Sequence, residues 1–302
     1  MATQNPSTQS EDRSSSLQSA WQNPEAANRY KNAENATRPF AKIMVDLSEQ
    51  LTTLKSTPVS IFDLACGTGA VEAELYAAVP KDQWSDLQIL AGDISEPMLE
   101  YLAQRGKEEG WSGLQTKIVD GKKLEEADFG EGLSRVFVGF AIFVLPLDTV
   151  PKLAQKLAPG GTLAVTTWAY PPWFGFLQRA MDRLQDGPVL PSQTAVWAAL
   201  TTADPWQESE FVRGQLLQAG LQKVEVVQKK ENVDCGTPET FMASMKFVIS
   251  LLSKGWPEEK RERWLEEVVE SMTTVITEEC GGADKHVFME FEGIVGVGLK
   301  GE

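Results

Sequence analysis

Short apolar runs alternate with amphipathic segments along much of the chain. The runs predict strands at Val59–Leu64, Leu87–Ala91, Leu114–Val119, Arg135–Val144 and Thr162–Thr167. Between them, apolar residues at helical spacing predict helices at Ala70–Val79, Pro97–Glu109 and Thr149–Leu157. Alternating strands and helices favour a doubly wound, Rossmann-like α/β fold, with a mostly parallel sheet and helices on both faces.

The segments on either side of this alternation complete the predicted fold. The spacing predicts a helical N-terminal segment over Trp21–Leu54, then, after the alternation, a helix over Phe211–Ala219 and strands over Lys223–Val227 and Val287–Leu299. Residues 168–207 look irregular and hold four of the nine tryptophans, whereas Thr237–Glu279 has helical spacing. We expect 168–207 and 237–285 to form substrate and lid segments.

Composition and charge narrow the domain organisation and the partners. Residues 1–20 are rich in Ser, Thr, Gln and Asn and lack the apolar core of a signal peptide, which predicts a disordered tail before one domain over 21–302. The 28 Lys and Arg stand against 43 Asp and Glu, a net charge of −15 that disfavours nucleic acid and anionic membrane surfaces. No apolar run is long enough to span a bilayer. We expect a cytoplasmic protein that acts on a small molecule.

Cysteine and histidine are too sparse for a metal site. Cys66, Cys235 and Cys280 are far apart in sequence, and His286 is the only histidine. Structural zinc requires clustered thiolate and imidazole ligands, so we expect no bound metal. The small count of cysteines favours a reducing compartment.

The stretch 59-VSIFDLACGTGAVEAEL-75 places a glycine turn between a strand and a helix. A P-loop would need GxxxxGK[ST], and no lysine follows until Lys81. A dinucleotide fingerprint would need a third small residue, and Glu72 instead places a carboxylate where a pyrophosphate would bind. S-adenosylmethionine (SAM) carries no phosphate and is compatible with this turn.

Three motifs resemble those of class I SAM-dependent methyltransferases. The first is 61-IFDLACGTGAV-71, the second 89-ILAGDISEPMLEYL-102 and the third 118-IVDGKKL-124. The resemblance covers about residues 55–167 and the last strand at 294-IVGVGLK-300. It implies a seven-stranded sheet, SAM as methyl donor and residues 55–167 as the SAM-binding core.

The resemblance also implies roles for individual residues. Asp63 would anchor the glycine turn near the methionine end of SAM, Asp93 would accept the ribose hydroxyls and Asp120 the adenine amino group. Ile94 and Met98 would pack on adenine, and the carbonyl of Phe140 would accept from the methionine ammonium. The full set of predicted cofactor-binding residues is Tyr30, Asp63, Ala65, Gly67, Thr68, Gly69, Asp93, Ile94, Met98, Asp120, Gly121 and Phe140.

These residue types also have purely structural explanations. An Asp after a strand is often a helix N-cap, and Met98 could be a core side chain. Cys66 has no histidine near it in sequence and is interpreted as a small turn residue rather than a nucleophile.

Within the class, the chain is similar to fungal small-molecule methyltransferases of the gliotoxin bis-thiomethyltransferase type. The similarity rests on 29-RYK-31, 65-ACGTGAV-71 and the helical segment before the last strand. It implies methyl transfer to the sulfur, oxygen or nitrogen of a small, apolar or aromatic secondary metabolite. The residues predicted to form the acceptor pocket are Trp21, Trp168, Tyr170, Trp173 and Phe174.

The catalytic base and the reaction class stay open at this point. No base motif is evident, and His286 is the single histidine that could serve as one. Thiols, amines and acidic enols need less help with deprotonation than alcohols do, and are therefore favoured as acceptors. The alternatives are a methyltransferase-fold cyclase, a regulatory SAM binder and a methyltransferase acting on protein or RNA.

Overall fold

A computed structural model of the chain describes residues 26–53, 59–202 and 204–302, with side chains from residue 34 onward. The predicted tail over 1–20 and Trp21 lie outside the described residues. Nine helices in the described ranges are α1 (Ala26–Leu51), α2 (Ala70–Ala78), α3 (Glu96–Glu109), α4 (Thr149–Lys156), α5 (Phe174–Asp182), α6 (Gln193–Leu200), α7 (Ser209–Gln218), α8 (Pro238–Ser253) and α9 (Glu258–Cys280).

The described strands form one seven-stranded sheet in the order β3-β2-β1-β4-β5-β7-β6. The strands are β1 (Val59–Leu64), β2 (Leu87–Asp93), β3 (Leu114–Ile118), β4 (Leu133–Val138), β5 (Leu157–Trp168), β6 (Leu221–Asp234) and β7 (Phe288–Lys300). The first five pair in parallel, and β7 runs antiparallel to both β5 and β6. This confirms the Rossmann-like seven-stranded fold.

Alternate residues of the central strands bury two separate hydrophobic clusters on opposite faces of the sheet. Ile61 and Phe137 pack in a cluster with α1, α2, α5, α8 and α9. Phe62 and Val136 pack in another cluster with α4 and α7. Strands buried on both faces read as continuous apolar runs, which is why the sequence revealed them.

The predicted strand over Arg135–Val144 was wrong in its second half. β4 ends at Val138, and a short 3-10 helix occupies Ile142–Val144. Phe140 interrupts the strand because its φ is +52° and its N–H donates to Thr166 Oγ1 at 2.9 Å. Apolar composition alone does not register a left-handed residue inside a buried run.

Two other predictions differ from the structure, one in the type of element and one in its length. Residues 168–207, predicted to be irregular, contain α5 and α6, and α6 begins where Ser192 Oγ accepts from the N–H of Ala195. The strand predicted at Lys223–Val227 extends through Asp234 because it pairs with β7 along most of its length. Every helix within the described ranges is too short or too polar to form a membrane-spanning segment.

Candidate functional site

A cavity of about 620 Å³ opens where the parallel strands end at their carboxyl termini. Open α/β sheets bind ligands at this edge. One part, which we call the polar half, is lined by ten of the predicted cofactor residues: Asp63, Ala65, Gly67, Thr68, Asp93, Ile94, Met98, Asp120, Gly121 and Phe140. The motifs therefore converge on one cavity.

The glycine turn after β1 has a left-handed backbone that explains its small residues. Ala65, Gly67 and Gly69 have φ of 59°, 56° and 93°. A Cβ on Gly69 would lie 2.4 Å from Leu102 Cδ1 of α3. Gly69 is not among the cavity-lining residues, so its requirement is close packing against α3 rather than contact with a ligand.

Asp93 holds the turn in place. Its Oδ2 accepts from the N–H of Gly67 at 3.0 Å, and its Oδ1 accepts from the N–H of Ser95 at 2.9 Å. The sequence assigned the anchoring of the turn to Asp63, and the structure corrects this: the bond to the turn comes from β2. A carboxylate has about four lone-pair sites, so these bonds leave acceptor capacity on Asp93 for a ligand hydroxyl.

Asp63 and Glu72 form a buried carboxyl pair beneath the turn. Their exposed fractions are 1% and 0%. No hydrogen-bond donor of another described residue reaches their oxygens. Apart from the backbone N–H of Glu72 itself, the hydrogen bond open to them is with each other when one is protonated. Burial raises the pKa of Asp63 well above its usual range, and burial raises that of Glu72 to about 7.

A polar network connects α1 to the same turn. Thr68 Oγ1 donates to Glu34 Oε2 at 2.7 Å, and the Arg105 guanidinium is 2.9 Å from that oxygen. Arg105 also donates to the carbonyl of Thr68 at 2.9 Å. The Glu34 and Arg105 side chains are 10% and 17% exposed, so α1 and α3 hold the turn between them through a shielded ion pair.

Two residues farther along the polar half also have special backbone environments. Asp120 Oδ1 accepts from the N–H of Lys122 at 3.0 Å, a bond within the turn rather than the helix N-cap considered as the structural alternative, and the half-buried side chain faces the cavity. Phe140 combines the left-handed φ with a place in the lining. Strained non-glycine residues concentrate at functional sites.

The second part of the cavity, which we call the apolar half, is lined by aromatic and aliphatic side chains. Trp168 and Trp173, two of the residues predicted for the acceptor pocket, line it. Trp168 also packs structurally, with its ring stacked on Phe140 at 3.7 Å between centroids. The residues that sequence reasoning missed in this half are Phe143, Trp197, Phe241, Phe247, Val248 and Leu251.

The cavity-facing side of α8 carried a signal in the sequence. Thr240, Ser244, Phe247, Val248 and Leu251 all line the cavity and follow one another at steps of four, three, one and three. That spacing places them on one helix face, distinct from the buried Met242 and Ile249, which do not line the cavity. A helix of the predicted lid segment with a second apolar face, in addition to its buried one, is the sequence signal that indicates pocket-lining residues.

Several predicted site residues lie elsewhere. Tyr170 and Phe174 are absent from the cavity lining, and the Tyr170 hydroxyl donates to the carbonyl of Pro172 at 3.4 Å. His286 is also outside the lining, half-exposed, with Nδ1 2.8 Å from Asp234 Oδ2. Its assignment as a base is not supported by this location. The side chain of Tyr30 lies outside the described residues.

The polar half fits SAM. Asp63 presents an orphaned buried carboxyl to the cavity, which suits the ammonium of the methionine end. Asp93 and Asp120 offer acceptor lone pairs for hydroxyl and amino groups, and Ile94 and Met98 offer an apolar surface for a base. The glycine turn itself contributes no lysine or arginine for phosphates, and the lysine that does line the cavity, Lys122, follows Asp120 instead.

Comparisons with known proteins agree with this geometry. The ubiE/COQ5 methyltransferase family matches residues 41–198. The chain is 27% identical to the acetylaranotin bis-thiomethyltransferase of Aspergillus terreus over 272 residues, 89% of this chain and 92% of that protein. It is 26% identical to methyltransferase ktnA of Aspergillus niger over 278 residues, 86% and 90% of the two chains.

A solved structure shows the same fold at low sequence identity. It is phosphoethanolamine N-methyltransferase 2 of Haemonchus contortus in complex with phosphomonomethylethanolamine and S-adenosylhomocysteine. The TM-score is 0.50 at 13% identity, with 93% of this chain covered and 60% of that chain spanned.

Proposed function

Because the chain belongs to the ubiE/COQ5 methyltransferase family and is a SAM-dependent methyltransferase, we propose that it methylates a small, apolar or aromatic secondary metabolite. One observation carries the proposal: the polar half and the apolar half belong to a single cavity of about 620 Å³. Small-molecule sites are typically concave, mostly apolar and of this size. The curated relatives from Aspergillus are consistent with such an acceptor.

The chain's own residues would bind, orient and shield. Asp93, Asp120 and Asp63 would hold SAM in the polar half, and SAM when bound supplies a methyl group already activated on a sulfonium. Trp173 and Phe241 would hold the acceptor in the apolar half and exclude water. Orienting two reactants in this way is worth ~7–11 kcal/mol in favourable cases.

The lining favours an acceptor that loses its proton easily. Among the described residues of the apolar half, Thr240 and Ser244 are polar but neutral, and none is Asp, Glu, Lys or His. Cys235 also lines the cavity, and burial raises the pKa of its thiol to about 12, which makes it a poor base at neutral pH. Thiols have a pKa of about 8.5 and need the least assistance, so we propose a thiol acceptor first.

The proposal is tested in two steps. S-adenosylhomocysteine should raise the Tm of the protein, and mass spectrometry should then detect a methylated product among apolar thiols, phenols and amines. A product from aryl or alkyl thiols, in preference to aliphatic alcohols, is the expected result. Binding without any methylated product would instead support a cyclase or a regulatory SAM binder, and methylation of RNA or protein alone would contradict a small-molecule acceptor.

A further inference from the structure

Asp63 and Glu72 form a buried carboxyl pair, and the binding of SAM gives a reason for burying only one of the two. Asp63 faces the cavity, whereas Glu72 is not in the lining and touches no ligand volume. Both are essentially without solvent contact, and no donor from another described residue satisfies their oxygens. A buried carboxyl that lacks a donor is costly, so a second one behind the first requires a reason.

Proximity links the two carboxyls. Glu72 is the neighbour whose charge and side-chain hydrogen bond act most strongly on Asp63, after burial itself. A Cβ on Gly69 would lie 3.5 Å from Glu72 Oε2, so the Glu72 carboxyl sits directly below the glycine turn. Two carboxyls this close cannot both ionise easily, and a protonated one can donate to its ionised neighbour.

We propose that Glu72 is a positioning residue whose carboxylate accepts a hydrogen bond from protonated Asp63, and that binding of the cofactor's methionine ammonium expels this proton from the pair to solvent. The ammonium requires an ionised Asp63, so its arrival favours the loss of a proton that the empty, buried pair retains. The cofactor should therefore bind more tightly as the pH rises.

Four charged or titratable groups around the carboxyl pair influence its protonation. Asp93 on β2 opposes ionisation of Asp63, and Glu34 on α1 opposes ionisation of Glu72. Arg105 on α3 favours ionisation of Glu72. In the turn, burial raises the pKa of the Cys66 thiol, which keeps it neutral. The carboxylates outnumber the one guanidinium, so an incoming cation is attracted and the protons of the pair are replaceable.

The inference rests on cofactor binding and is independent of which acceptor the enzyme uses. The test is calorimetric titration of S-adenosylhomocysteine into the wild-type chain and into Glu72→Gln, at about pH 6 and about pH 8. Two buffers of different ionisation enthalpy report how many protons are released. The amide introduced by Glu72→Gln can still donate to Asp63 but does not titrate, so this variant separates positioning from proton release.

We expect the affinity of the wild-type chain to rise about tenfold from the lower to the higher pH, with proton release at the lower pH. In Glu72→Gln the change should fall to about threefold or less, because Asp63 no longer has an anionic neighbour and ionises at lower pH. Glu72→Leu, which keeps the volume but removes the hydrogen-bond partner of Asp63, should bind weakly at both pH values.

A pH dependence in Glu72→Gln equal to that of the wild type would overturn the proposal, as would a wild-type affinity that does not change with pH. The ammonium of the ligand titrates identically in all three proteins, so the difference between them isolates the pair. No binding to any variant at either pH would refute the cofactor assignment itself, which distinguishes that failure from a failure of the proton linkage.

Discussion

The two halves of the cavity differ in the interactions that form their walls. In the polar half, carboxyls at strand ends are tied to backbone N–H groups, as in Asp93, or are buried without a donor, as in Asp63. In the apolar half, half-buried rings and aliphatic chains from α8 and the segment after β5 form the wall. The polar half would position the cofactor through directional hydrogen bonds. The apolar half would select the acceptor by its shape and by the cost of desolvating it. Substitutions should therefore separate cofactor binding from acceptor binding.

The largest effect is expected from Asp93→Ala. This change removes the acceptor of the Gly67 N–H and the carboxylate offered to the ligand, and hydrogen bonds to charged groups are worth ~1.5–3 kcal/mol each. The affinity for S-adenosylhomocysteine should fall by about 100-fold, measured by calorimetry. Asp82→Ala, at an exposed position, is the matched control and should leave the affinity unchanged. Equal effects of the two would contradict a role for Asp93 in the polar half.

The carboxyl pair should also determine how stability of the ligand-free protein varies with pH. The folded-state pKa of Glu72, about 7, lies above the unfolded value of 4.5, so the stability it contributes is complete below the unfolded value and is lost as the pH rises through about 7. Glu72→Gln should therefore raise the free energy of unfolding by about 3 kcal/mol at alkaline pH and by little at acidic pH.

Urea unfolding across the pH range measures this difference. Glu74→Gln is the control on the same helix: it removes a carboxylate paired with Arg38 at 2.7 Å and should lower, not raise, stability at alkaline pH. A stabilisation by Glu72→Gln that is the same at every pH would mean that repacking, rather than a buried proton, accounts for it.

An added charge in the apolar half should affect the acceptor alone. Val248→Asp places a carboxylate in the cavity wall on α8 and should raise the KM of an apolar acceptor about tenfold, because it must be desolvated there. The Kd of S-adenosylhomocysteine should stay within about twofold. Ser250→Asp, exposed on the same helix and outside the lining, should change neither. Loss of cofactor affinity in Val248→Asp would show that the halves are not separable.

The smallest effect is expected where α1 meets the turn. Glu34→Gln keeps a hydrogen-bond acceptor for Thr68 but removes the charge paired with Arg105, and such a partly shielded pair contributes about 1 kcal/mol. The affinity for S-adenosylhomocysteine should fall about threefold to fivefold. Asp46→Asn on the same helix breaks an exposed pair with Lys42 and should have no measurable effect. An unchanged affinity in Glu34→Gln would indicate that α1 does not support the polar half.

The contrast between the halves also explains what the sequence could predict. Asp63, Asp93 and Asp120 were identifiable because strand ends and glycine turns leave strong local patterns. The role exchange between Asp63 and Asp93 was not identifiable, since it depends on which carboxylate reaches the N–H of Gly67 across two strands. The burial of Glu72 could not be predicted either, because its position in a helix does not reveal that Asp63 at the end of β1 lies next to it.

The apolar half and the strand limits were determined by tertiary contacts. β4 stops where Phe140 takes a left-handed φ and bonds to Thr166 on β5, a pairing outside any local window. β6 gains its length from antiparallel pairing with β7. The aromatic residues of 168–207 suggested a pocket, but only the placement of α6 and α8 decides that Trp197 and Phe247 face it while Tyr170 does not.

A crystal structure of the chain with S-adenosylhomocysteine tests most directly whether one cavity serves both the cofactor and a small acceptor. We expect the ammonium beside Asp63, the ribose at Asp93, and the thioether sulfur facing the apolar half toward Trp173 and Phe241. A sulfur that points to open solvent, or a cofactor bound outside the carboxyl ends of β1 and β2, would contradict it.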